Sequence, residues 1–204
     1  MRDLTKHREY LSGKMLIAMP NMEDERFERS VVLICSHEND HAMGVVINKI
    51  IREITIGDLL EQLRIEADQN ISISPVYYGG PVQQDRGLVI HTLDYRSETT
   101  MVVGDNIGVT GTREILADLA NHDDGMAARP AKYLLALGHA GWSSGQLEEE
   151  IQMNVWAHCD ADERIVFADK NTDAWQRALN NLGVTTAMLS PEWARGRDMN
   201  APLN

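Results

Sequence analysis

The sequence predicts an α+β fold in a single domain of 204 residues. Short β-branched or apolar segments bounded by polar loops dominate the first half of the chain and are typical of strands. Amphipathic segments with helical spacing are interspersed without a steady β-α-β alternation, which favours mixed sheets over a doubly wound parallel sheet. One domain is the simplest organisation for this length, so we assign residues 1–204 to it and expect flexible tails at 1–10 and 191–204.

The strand-like segments share high apolar content and lengths of about five residues. In chain order they are 15–19, 31–35, 44–48, 76–80, 87–92, 99–104, 107–111, 132–138 and 155–159. The segment at 132–138 is apolar on successive positions and therefore on both faces. A strand that is buried on both faces lies in the interior of a sheet, so we expect this strand to be central.

Three segments have the apolar spacing of helices. In the first, at 55–63, Thr55 is placed to cap the helix, with Asp58 three residues later. The second covers 112–122. In the third, at 172–183, Asp173 and Gln176 form a capping pair and Gly183 ends the helix.

Residues 141–145 read Gly-Trp-Ser-Ser-Gly, which matches the G-x-S-x-G spacing of a hydrolase nucleophile elbow. Such an elbow needs a histidine base and an orienting acid later in the chain. Only His158 follows Ser143, and the nearby aspartates come after that histidine, so the required order is absent. We therefore interpret Ser143 as a helix N-cap in a capping box with Gln146, and we assign no catalytic residue.

Composition excludes several functional classes. The formal net charge is −12, and a surface of this sign repels nucleic-acid phosphate, so we expect no direct nucleic-acid binding. No apolar run approaches the length of a membrane span, the N-terminus lacks the pattern of a secretory signal, and the two cysteines lie in apolar runs. These features favour a cytoplasmic protein with reduced thiols and no membrane partner.

The histidines do not predict a metal site. The nearest ligand-like spacing is His37 and His41, on either side of an acidic loop that we interpret as solvated. No C-x-x-C, H-E-x-x-H, P-loop or G-x-G-x-x-G pattern is present, so we expect neither a metal nor a nucleotide cofactor.

Three blocks of sequence, at 13–49, 76–92 and 135–156, resemble the YqgE/AlgH family of bacteria, and the similarity runs from about Leu11 to about Ser190. The resemblance implies a compact domain whose mixed sheets bend into a partly open pseudo-barrel with helices packed outside. It implies no established reaction or cofactor, and some members carry the description of transcriptional regulator. The pair Ser143-Ser144 stands where Gly-Pro is usual in the family, which argues further against a catalytic Ser143.

The positions that match the family's motifs are polar residues at strand ends, a Gly-Gly turn and a helix N-terminus. They are Asn21, Arg29, Asn48, Gly79, Gly80, His91, Trp142, Gly145 and Gln146. Together such groups can form an anion-binding concavity, in which Asn48, His91 and the 141–146 segment would converge. Each residue also has a structural interpretation, such as a loop-bonding asparagine, a glycine with positive φ or a core histidine.

Two functional hypotheses of different classes remain. The first is a non-enzymatic regulatory or interaction protein that engages a protein partner or a small anionic ligand, with any effect on transcription being indirect. The alternative is a small-molecule enzyme, such as a hydrolase, with its site near the Gly79-Gly80 turn and the 141–146 loop.

Overall fold

The computed structural model describes residues 10–66, 69–120, 129–168 and 173–185. The strands are β1 (Lys14–Ala18), β2 (Val31–His37), β3 (His41–Val46), β4 (Ile50–Thr55), β5 (Pro75–Tyr78), β6 (Val82–Thr92), β7 (Met101–Val103), β8 (Ile107–Thr110), β9 (Tyr133–Ser143) and β10 (Trp156–Asp160). The helices are α1 (Ile56–Gln62), α2 (Gln69–Ser72), α3 (Arg113–Ala120), α4 (Gln146–Gln152), α5 (Glu163–Val166) and α6 (Ala174–Asn181). A 3-10 turn covers Glu25–Phe27.

Strand β9 is the centre of the sheet. The main strand order is β10-β1-β2-β3-β9-β6-β8-β7. The first half of β9 also pairs in parallel with β5, which in turn pairs with β4. All other pairs are antiparallel, so the sheet is mixed, as the sequence predicts.

The sheet curls into a half-barrel, and its two faces bury separate cores. The inner core joins β1, β2, β6, β8 and β9 to apolar residues of α5 and α6. On the outer face, α4 covers β1, β2, β3 and β10, whereas α1, α2 and α3 cover β5, β6 and β9. The α+β fold and the partly open barrel expected from the family resemblance are therefore confirmed.

The bend in the sheet depends on glycines where two backbones touch. A Cβ atom on Gly79 would lie 2.2 Å from the carbonyl oxygen of Gly138, and one on Gly80 would lie 2.1 Å from the carbonyl carbon of His139. Gly138 itself has a φ of 75°, which glycine adopts without strain. Only glycine at these positions lets the turn between β5 and β6 lie directly against β9.

Of the two helix caps predicted at α1 and α6, the first is present and the second is absent. At α1, Thr55 and Asp58 form the predicted capping box. At α6, Asp173 precedes the helix but makes no side-chain cap bond, so the predicted pair with Gln176 is absent, whereas Gly183 ends the helix at a φ of 71°.

Other segments differ from the sequence-based expectations. Strand β4 has no counterpart in them because its outward side chains, such as Arg52 and Glu53, are polar and exposed. Of the expected tails, Tyr10 is described, and its hydroxyl donates a hydrogen bond to the Asn39 side chain. Residues 1–9 and 191–204 lie outside the described residues. No helix within the described ranges is long and apolar enough to cross a membrane.

The apolar segment of β9 is interior, as predicted. Leu135 is 1% exposed and lies between β5 and β6, whereas Leu137 is only half-buried. Leu135→Ala should lower the free energy of unfolding by about 2–5 kcal/mol, because it removes buried methyl groups and leaves a cavity. Urea denaturation measures this loss. Ile73→Ala is the matched control, since Ile73 is 77% exposed and its truncation should leave the unfolding midpoint almost unchanged.

Candidate functional site

The structure does not bring together all the residues that the sequence singles out. His91 pairs with Tyr133 at the start of β9, whereas Trp142 lies near the end of that strand, opposite Ala42. The two positions are nine residues apart and lie near opposite ends of β9. The expected convergence of Asn48, His91 and the 141–146 segment is therefore wrong.

His91 is a structural histidine of the core. It is fully buried, and its Nδ1 lies 2.9 Å from the carbonyl oxygen of Thr92 while its Nε2 lies 2.9 Å from the Thr110 hydroxyl. Burial lowers the pKa of His91, so the ring is neutral at pH 7. Because a carbonyl only accepts, Nδ1 carries the proton and Nε2 accepts from Thr110.

Asn48 and Arg29 also have structural partners. The Asn48 side chain accepts a hydrogen bond from the Val31 N–H and donates one to the Arg29 carbonyl, both at 2.8 Å. These bonds fix the start of β2 to the end of β3. The Arg29 guanidinium lies over the Trp175 ring, 5.6 Å from its centroid, and Arg29 has a positive φ of 52°.

The Gly79-Gly80 turn is not an anion-binding nest at Gly79. The Gly79 N–H donates to the Leu137 carbonyl, and the Gly79 carbonyl accepts from the Val46 N–H, both at 2.8 Å. A backbone amide that is already paired within the sheet has no donor left for a ligand. This turn instead lets the backbone between β5 and β6 lie directly against the backbone of β9.

Three of the sequence-predicted residues do share one cavity, which we call the groove. It lies beside α4, at the end of β9 and the start of β10, and it has a volume of about 430 Å³. The groove is lined by Asn21, Met22, Glu23, Asp24, Arg26, Phe27, Pro81, Gly141, Trp142, Gln146, Glu150, Met153, Val155 and Trp156. Asn21, Trp142 and Gln146 are the three predicted members.

Glu150 is the polar centre of the groove. Its Oε2 accepts hydrogen bonds from the indole N–H groups of Trp142, at 2.9 Å, and Trp156, at 2.7 Å. Its Oε1 accepts one from the Gln146 side-chain amide at 2.9 Å. The two indoles pack edge to face at 6.1 Å and are almost completely buried. One partly buried carboxylate thus satisfies two buried indole donors.

The local sequence places Glu150 at this point. Gly145, in the left-handed conformation at a φ of 77°, is the N-cap of α4. Leu147 packs its side chain into the outer core, so Gln146 and Glu150, four residues apart, share the neighbouring face. Ser143 is the last residue of β9 and not the N-cap, so the predicted capping role is wrong. The Gln146 side chain accepts from the Ser143 N–H and hydroxyl, but no Ser143 oxygen caps the helix.

The groove carries a negative charge. Asp24 is paired with Arg26 at 2.7 Å, and that hydrogen bond lowers the pKa of Asp24. Glu150 has three neutral N–H donors and, among the residues that the structure describes, no ion-pair partner. The Glu23 carboxylate adds a second negative charge at the exposed rim.

Sequence reasoning identified Trp142 and Gln146 but missed Glu150, the carboxylate that both of them bind. Glu148, Glu149 and Glu150 follow one another, and all three can be explained by favourable interaction with the helix dipole. Nothing in the local sequence distinguishes Glu150 from the other two. The signal that could have found it is the tryptophan pair, since two buried indoles both need an acceptor.

A second cluster lies at the turn between β2 and β3 and includes His41, the first residue of β3. Ligand atoms of Glu38, Asp40 and His41 lie within 4.8 Å of one another, and all three side chains are exposed. The His41 ring bonds Asp40 at 2.8 Å, and this bond raises the pKa of His41. His37 does not join them, because its ring is buried between the Leu11 N–H and Glu148.

Glu150→Ala should destabilise the fold by about 2 kcal/mol or more, because it removes the acceptor of two buried indole donors, and each such group costs roughly 1–3 kcal/mol when unpaired. Urea denaturation monitored by circular dichroism measures the change. Glu149→Ala is the matched control on the exposed side of the same helix turn and should leave the unfolding midpoint in place. Equal effects of the two substitutions would show that the indole bonds add nothing to stability.

Comparisons with known proteins identify the family. Residues 15–187 match the model of the AlgH-like family, DUF179. A UPF0301 protein of Caulobacter vibrioides is 43% identical over 183 residues, which cover 89% of this chain and 92% of that protein. A UPF0301 protein of Paracoccus denitrificans is 45% identical over 185 residues, with 89% and 95% coverage.

Two solved structures have the same fold. The solution structure of the AlgH protein from Pseudomonas aeruginosa aligns with a TM-score of 0.73 at 33% identity. The alignment covers 94% of this chain and 97% of the AlgH chain. A crystal structure of a Corynebacterium diphtheriae protein aligns with a TM-score of 0.67 at 22% identity, covering 85% and 87%, and supports the fold alone. The sequence, the curled sheet and these relatives together show that the chain belongs to the AlgH-like family.

Proposed function

We propose that this protein is a non-enzymatic interaction protein that binds a basic segment of a protein partner in the groove. The observation that carries the proposal is the Glu150 carboxylate, which bonds two indoles and whose donors, among the described residues, are all neutral. A partly buried charge of this kind is stabilised by a cation that enters the groove. The occupant is therefore positively charged.

The walls of the groove support a protein side chain as the occupant. Met22, Phe27 and Val155 present half-buried apolar surface beside the carboxylate, and Met153 is 60% exposed at the rim. A cationic side chain with an apolar stem matches this combination, because the stem covers apolar surface while the charge meets the carboxylate. The negative charges of Glu23 and Glu150 oppose the small anionic ligand that the sequence also suggested.

The net charge of −12 favours the same partner class. An acidic protein attracts basic protein segments over long range and repels DNA. Any effect on transcription would therefore be indirect and exerted by the bound partner. The free thiols of Cys35 and Cys159 support a reducing, cytoplasmic setting for this interaction.

Two peptides of equal length test the proposal, one alternating lysine with leucine and the other glutamate with leucine. The lysine peptide should shift the indole N–H resonances of Trp142 and Trp156 in two-dimensional NMR, and the shift should weaken as salt is added. Glu150→Gln should lower the affinity roughly tenfold or more, because a charged hydrogen bond is lost. Glu149→Gln makes the same charge change outside the groove and should have little effect.

The proposal fails if the lysine peptide leaves both indole resonances in place, or if the glutamate peptide shifts them equally. Loss of affinity to the same extent in Glu150→Gln and Glu149→Gln would indicate general charge attraction without use of the groove. Thermal unfolding of each variant separates a lost contact from a lost fold.

One observation favours the hydrolase alternative. His41 is the direct cross-strand partner of Ser143, and its ring bonds the preceding residue, Asp40, so strand register brings a serine close to a histidine–aspartate pair. Side chains of directly opposed residues lie on the same face of a sheet. Against this alternative, the Ser143 hydroxyl donates to Gln146 at 3.1 Å, so its proton is not directed at a base.

A fluorophosphonate probe decides between the two functions. We expect Ser143 to stay unlabelled in the folded protein, because its hydroxyl is held by Gln146. Mass spectrometry of the intact protein and of its peptides detects the adduct. Labelling at Ser143 that disappears in His41→Ala, with the fold retained, would establish the hydrolase and overturn the non-enzymatic assignment.

A further inference from the structure

We propose that the groove selects a lysine side chain over an arginine side chain, an inference that rests on the proposed function. The argument depends on how many acceptor positions Glu150 still offers. A carboxylate oxygen accepts about two hydrogen bonds. Oε2 already receives two, from the indoles of Trp142 and Trp156, whereas Oε1 receives one, from Gln146. One acceptor position therefore remains, and it is on Oε1.

An arginine cannot use this arrangement fully. Its guanidinium binds a carboxylate best through two parallel N–H···O bonds, one to each oxygen. Because both positions on Oε2 are occupied, only a single bond to Oε1 is left. Arginine therefore loses the two-bond geometry that usually makes it a better partner for a carboxylate than lysine.

A lysine ammonium fits the remaining positions. It is a compact charge that needs only one acceptor at each of its N–H groups. Asn21 lines the same groove and donates its side-chain amide to the Met153 carbonyl at 3.3 Å. Its side-chain oxygen accepts no hydrogen bond from the described residues and therefore remains available as a further acceptor in the groove.

The occupied positions on Oε2 are fixed by packing. Trp142 is 5% exposed and Trp156 is 3% exposed, and both belong to the outer core under α4. Phe27 packs edge to face on Trp156 at 5.7 Å. An indole held in this way cannot swing aside for a guanidinium without leaving its own N–H unpaired, which carries a cost in free energy.

Three peptides that differ at one position, lysine, arginine or Nε-acetyl-lysine, test the inference. The affinity for each is measured from the indole N–H resonances of Trp142 and Trp156, which are assigned with Trp142→Phe and Trp156→Phe. We expect the lysine peptide to bind about fivefold or more tightly than the arginine peptide, and the acetylated peptide to lose binding with its charge.

Trp156→Phe provides the sharper test. It removes one of the two donors on Oε2 and opens an acceptor position for the guanidinium fork, so the preference for lysine should narrow or invert. Trp175→Phe, which makes the same indole-to-phenyl change outside the groove, is the control and should retain the preference. The wild-type comparison remains decisive if Trp156→Phe does not fold.

The outcomes separate the two proposals. If both basic peptides shift the indole resonances and arginine binds as tightly as lysine or more tightly, the selectivity is wrong and the proposed function stands. If neither basic peptide shifts them, the proposed function and the selectivity both fail. A preference for lysine that is unchanged in Trp156→Phe would show that the occupied Oε2 is not its cause.

Discussion

The close approach of the Gly79-Gly80 turn to the backbone of β9 is the constraint on which this fold depends. There, the chain between β5 and β6 lies against Gly138 and His139 so tightly that no Cβ atom fits. This contact lets β9 pair with β5 in its first half and with β3 in its second half. Pro81, the next residue of the turn, then lines the groove, so the bend of the sheet and one wall of the candidate site share a single cause.

Glu150 links the stability of the outer core to the chemistry of the groove. Its carboxylate satisfies two indole donors that packing has buried, and it makes no ion pair with the residues that the structure describes. The two indole N–H groups stabilise the fold, because they bind α4 to both β9 and β10. Under the proposed function, this carboxylate would also attract a cationic ligand, so one residue would serve both the fold and the binding of a partner.

Some features could be predicted from short stretches of sequence, such as the α1 cap and the interior position of the apolar part of β9, whereas most features that depend on strand register could not. The capping box of Thr55 and Asp58 involves residues three apart and follows from chain-local chemistry. The extension of β9 to Ser143 depends on pairing with β3, since Gly138 and Gly141 interrupt the apolar pattern. His41 is opposite Ser143 only because of strand register, which brings together residues 102 positions apart. Glu150 likewise acquires its role from tryptophans on two different strands.

The pairing of β1 with β10 has a consequence for how the chain is made. Lys14 lies opposite Asp160, so the outer edge of β1, the first of the described strands, is covered by β10, the last of them. The inner core also needs Ala174, Ala178 and Leu179 of α6. During synthesis, the apolar inner surface of β1 and β2 is therefore completed only after α6 has been made, so it stays exposed for longer than a surface that is closed by neighbouring strands.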